Sequence, residues 1–148
     1  MHKPIAIDFA ARITALWSVF LLGTLFHTQL ALMPLFHGLN VAESHTHSYI
    51  SVTAVMWFML IFFCLPLLAI AGCAFYSSRQ FRQLHFGMTL MYTVLNLLHF
   101  VLDSMIAVPS YQLALMALLF GVGLLLNIVA YRWMRASSHF AKQFNPST

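Results

Sequence analysis

The sequence predicts an all-α integral membrane protein, a four-transmembrane-helix antiparallel bundle, and three observations carry that expectation. Of the 148 residues, 61% are hydrophobic and only 7% are charged, where a soluble domain carries roughly a quarter. Mean hydropathy is +0.86. The few charges leave four long uncharged stretches, from Arg12 to Glu43, Glu43 to Arg79, Arg82 to Asp103 and Asp103 to Arg132. Each matches or exceeds the ~20 residues that a helix needs to cross a bilayer. Strand spans would show alternating segments of roughly 10 residues, and these are absent. Disorder is excluded by the same composition.

The elements follow in order, within one membrane domain covering 1–148. The first span covers about 8–36. It is too long for a signal-peptide core and is read as a retained helix. Trp17, Phe20, Thr24, His27, Thr28 and Ala31 share one of its faces. His37-Gly38-Leu39-Asn40 then opens a polar loop running to Ser48. The second span covers about 48–76. It holds Pro66, where a kink is expected, and Cys64 and Cys73, whose spacing suits apolar packing rather than a metal pair or a disulfide. Ser77-Ser78-Arg79-Gln80 punctuates the next connection. The third span covers about 83–107 and the fourth about 110–134. Val108-Pro109-Ser110 between them predicts an antiparallel hairpin.

Orientation follows from the bases. Lys3, Arg12, Arg79, Arg82, Arg132, Arg135 and Lys142 all fall on the side that holds both termini. The positive-inside rule makes that side cytoplasmic, in a bacterial inner membrane or its equivalent. The expected partners are the lipid bilayer and another membrane protein or redox partner. Seven bases spread over the chain make no dense patch, so no nucleic-acid partner is expected.

The histidines carry the functional signal. An ionisable residue in a span faces the bundle interior and has a partner. On the third span His85, Tyr92, Asn96, His99 and Asp103 fall within an arc of roughly 60° at 100° per residue. Val94, Leu98 and Val101 lie on the opposite face. The fourth span aligns Gln112, Met116, Phe120, Gly123, Asn127 and Tyr131. His27 sits roughly 13 Å, and His99 roughly 15 Å, from the outer ends of their helices at 1.5 Å per residue. The two are therefore expected at one depth, in the outer half of the membrane. The loop carrying His37, Glu43, His45 and His47 covers that same end.

Two chemistries suit this placement. In the first, His27 and His99 are the axial ligands of a b-type haem, with Gly23, one turn below His27, making room for the macrocycle. The spacing of His85 and His99 resembles that of the paired ligands on two-haem cytochrome b helices. No other span supplies an inner-end histidine to pair with His85, so a single haem is expected. In the second, a non-haem copper, zinc or iron ion is held by His27, His99 and Asp103, with His37, His45 or His47 completing the set. Either makes the chain a small haem- or metal-binding protein of membrane redox chemistry and electron transfer. The rival class is a structural or assembly subunit of a larger membrane complex, without cofactor. Its histidines would be hydrogen-bonded seam residues.

Overall fold

The structure, a computed structural model, describes residues 5–39, 51–106 and 108–144. They form four helices, α1 (Ile5–Phe36), α2 (Val52–Phe75), α3 (Arg79–Ser104) and α4 (Ser110–Phe144). All four are long and apolar enough to cross a membrane.

The helix ends differ from the expected ones for local reasons. Ser78 is extended, and its Oγ accepts the Phe81 amide at 3.2 Å. This cap satisfies one of the free N–H groups of a first turn and starts α3 at Arg79 rather than 83. Ser51 caps α2 in the same way through the Ala54 amide, at 3.1 Å. Positions 48–50 of the expected second span lie outside the described residues. α3 stops at Ser104, short of 107. α4 runs on past 134 to Phe144, since the charges that end its apolar stretch do not break a helix and no Gly or Pro intervenes.

α4 packs along both α3 and α1, whereas α2 touches α1 more sparsely. Glycines permit the close approaches. Gly23 of α1 receives the Leu119 side chain, and a Cβ there would collide with it. At Gly123 of α4 a Cβ would lie 3.0 Å from Thr93 Oγ1. The Thr93 hydroxyl donates to the Thr89 carbonyl at 3.0 Å and accepts from Asn127 Nδ2 at 2.9 Å. Such small-residue contacts and inter-helix hydrogen bonds suit association without a large hydrophobic drive.

One layer joins all four helices. His85 of α3 is buried, with 2% of its surface exposed. Trp17 of α1 donates its Nε1–H to His85 Nε2 at 3.4 Å. Cys73 Sγ of α2 lies 3.7 Å from Nδ1, and Trp133 of α4 meets the imidazole edge-on, with centroids 5.7 Å apart. Indole can only donate, so a neutral His85 carries its proton on Nδ1, facing the sulfur.

A second tie joins α2 to α3. Pro66 is buried inside α2 and has no N–H for the carbonyl of Phe62, four residues before it. The Tyr92 hydroxyl of α3 donates to that carbonyl at 2.7 Å. The sequence thus creates an orphan acceptor on one helix and its donor on another.

The faces follow the polar stripes only in part: His99 of α3 and Ala31 of α1, both on stripes expected to face inward, are exposed. Tyr92 and Asn96 are buried, while Val94, Leu98 and Val101 are exposed. On α4, Gln112, Met116 and Gly123 are buried. Tyr131 departs from the expected inward stripe and is exposed. It lies beside Phe86, and its hydroxyl accepts from Arg135 Nη1 at 3.0 Å. That contact holds the ring along the helix surface.

Candidate metal centre

His27 lies on the inward face of α1. Thr24 and Thr28, its neighbours on that face, turn their hydroxyls back to the Phe20 and Thr24 carbonyls at 2.8 and 3.1 Å. Their hydrogen bonds stay within α1, which leaves the imidazole to face α3. His99 and Asp103 are one turn apart on α3 and share a face, as i,i+4 residues do.

These three side chains converge. Asp103 Oδ2 lies 3.3 Å from His99 Nε2 and 3.5 Å from His27 Nε2. The two imidazoles meet nearly perpendicular, at 82°, with centroids 5.6 Å apart. One ligand atom from each residue falls within 4.8 Å of the others, and among the described residues no other three His, Cys, Asp or Glu side chains come together so. The His27 and Asp103 side chains are 11% and 15% exposed, and His99 is 54% exposed. The cluster is therefore open on the His99 side only. His27 Nδ1 is buried and has no hydrogen-bond partner among the described residues.

Separation tells two kinds of contact apart. A charge-assisted N–H···O hydrogen bond is roughly 2.7–2.9 Å long, shorter than either histidine–aspartate distance. Donors bound about 2.05 Å from one tetrahedral ion stand roughly 3.3–3.4 Å from each other. One edge of the cluster, at 3.3 Å, has that length, and a second, at 3.5 Å, is slightly longer.

The other expected ligands are not brought in by what is described. His37 is exposed just beyond the end of α1. Glu43, His45 and His47 lie outside the described residues. Leu119 of α4 packs against Gly23, on the side where the macrocycle was expected. His85 belongs to the aromatic layer at the other end of the helices.

A cavity of about 450 Å³ adjoins the cluster, between α1, α2 and α3. His27, His99 and Asn96 line it together with Phe58, Phe62 and Phe63. Sequence reasoning found the three polar residues through the stripes. It missed the phenylalanines, since α2 is apolar all round and shows no preferred face.

Fold and site together define a chain of four membrane-length helices carrying a two-histidine, one-carboxylate cluster. No protein-family model, curated protein or solved structure matches it.

Proposed function

We propose that the chain is an integral membrane protein that binds one transition-metal ion through His27, His99 and Asp103 and uses it in membrane redox chemistry. The carrying observation is the placement of one carboxylate oxygen 3.3 and 3.5 Å from two imidazole nitrogens. Imidazole and carboxylate donors suit iron, zinc or copper(II), and a two-histidine, one-carboxylate set leaves positions open for a further ligand. The outer-loop histidines His37, His45 and His47 are candidates for one of them.

The same geometry favours an ion over a haem. Asp103 Oδ2 lies beside both Nε2 atoms, where a haem held by the two histidines would have to fit. A haem would require Asp103 to move out and Leu119 to make way beside Gly23.

The helices form an antiparallel bundle in the bilayer. Thr93 meets both Gly123 and Asn127, and His85 meets Trp133, so contacts along α3 and α4 run in opposite senses. The mostly exposed apolar residues of α2, such as Met56, Leu60 and Leu67, face lipid or a partner protein. The termini lie on the cytoplasmic side with the bases, and the metal centre lies in the outer half.

Metal content after gentle extraction tests the reading. We expect close to one iron, zinc or copper per chain, lost on His99→Leu and retained on His85→Leu. A metal-free, colourless wild type would leave the cofactor-free subunit in its place.

A further inference from the structure

Two of the three proposed ligands, His27 and His99, line the cavity, while Asp103 does not. An ion held by all three would therefore sit in the cavity wall, with the carboxylate on its far side. Three protein donors leave a transition metal at least one open coordination position.

The rest of the lining decides what can reach that position. The volume, about 450 Å³, falls within the range of roughly 300–1,000 Å³ typical of small-molecule sites. It far exceeds the ~30 Å³ that one water occupies. Phe58, Phe62 and Phe63 of α2 form one wall, and no Lys, Arg, Asp or Glu is among the residues that line the space. Thr24 and Thr28 line it too, but both hydroxyls are donated to carbonyls of α1. Asn96 Oδ1 is buried away from it. The two imidazoles thus form the polar end of an otherwise apolar space. Its lips, Met59 on α2 and Leu98 and Leu102 on α3, are exposed, so it opens sideways between these helices, where a membrane would present lipid. A charged molecule would lose its hydration on that route without a partner, whereas an uncharged one would not.

We propose that the open position of the ion faces this cavity and takes an uncharged, bilayer-soluble molecule with one donor atom on an apolar body, which enters between α2 and α3. The inference rests on the metal reading above and names the class of ligand that reaches the same site.

The test uses phosphatidylcholine nanodiscs containing the full chain loaded with Co²⁺. The probes are pyridine and 4-phenylpyridine, which share one donor nitrogen and are uncharged at mildly alkaline pH. Coordination is read from the visible absorption of the ion, with each probe corrected for its partition into empty nanodiscs. Wild type should bind one 4-phenylpyridine per chain, roughly two- to tenfold more tightly than pyridine, the worth of a second ring against the phenylalanines. Met59→Trp and Leu98→Trp crowd the lips from the two helices. Each should keep Co²⁺ uptake and weaken 4-phenylpyridine by ~10-fold or more. Equal affinity for the two probes in wild type overturns the proposal, as does 4-phenylpyridine binding untouched by both tryptophans. So does a spectrum that neither probe changes, the result expected if an outer-loop histidine closes the position or an acyl chain holds the cavity. A chain that takes up no Co²⁺ refutes the metal reading and this inference with it; one that takes up Co²⁺ but binds neither probe refutes this inference alone.

Discussion

Replacing Tyr92 by phenylalanine removes one oxygen from a buried, well-packed ring. Its contacts with Trp17, at 5.3 Å between centroids, and with Phe62, at 4.9 Å, need only the ring and survive. What is lost is the hydrogen bond to the Phe62 carbonyl, 2.7 Å long. That carbonyl lacks its i+4 donor because Pro66 stands four residues on. Tyr92→Phe therefore leaves a part-buried acceptor without this donor, and we expect a cost of about 1–2 kcal/mol. Pro66→Ala supplies the missing N–H to the same carbonyl. In the Pro66→Ala background, Tyr92→Phe should cost less than about 1 kcal/mol, which gives a coupling of roughly 1–2 kcal/mol in a double-mutant cycle. The assay is reversible unfolding of the four proteins in one detergent, followed by helical circular dichroism. An equal cost of Tyr92→Phe in both backgrounds would refute the idea that the tyrosine serves the proline's orphan carbonyl.

Other outcomes follow from the same contacts. Gly23→Ala should destabilise by about 1–3 kcal/mol through overpacking against the buried Leu119, whereas Gly121→Ala, with open space around its Cβ, should be neutral or slightly stabilising; thermal unfolding separates them. His85→Leu strips the acceptor from the Trp17 indole and should cost about 1–3 kcal/mol, with the metal content of the chain unchanged. Cysteines introduced as Leu39→Cys and Ser77→Cys should react with a membrane-impermeant maleimide from opposite faces of the membrane; labelling of both from one face would contradict the four-span topology.

The sequence reveals faces better than partners. Gaps between charges mark all four helices, and the arc of Tyr92, Asn96, His99 and Asp103 marks which side of α3 can carry polar groups. Counting residues from the helix ends puts His27 and His99 at one height, and the structure sets their rings 5.6 Å apart. Rotation and neighbour choice are another matter, because they depend on which side chains interlock. His85 looked solitary in the sequence, yet it gathers Trp17, Cys73 and Trp133 from three other helices. Gly23 looked like space for a cofactor, but a leucine of α4 takes it. The cavity is a place where α2 fails to close on α3, and no periodicity within a single helix encodes a gap between two.

The proposed three-donor metal centre at His27, His99 and Asp103 is open to direct measurement. Titration of the metal-stripped chain with Co²⁺, followed by the visible absorption of the bound ion, tests it most directly. We expect saturation at one ion per chain. His27→Leu, His99→Leu and Asp103→Asn should each weaken binding by at least ~100-fold, since losing even a partner of a ligand costs 10–100-fold. His85→Leu should titrate like wild type. No stoichiometric uptake, or uptake that all three ligand variants share with wild type, would contradict the account.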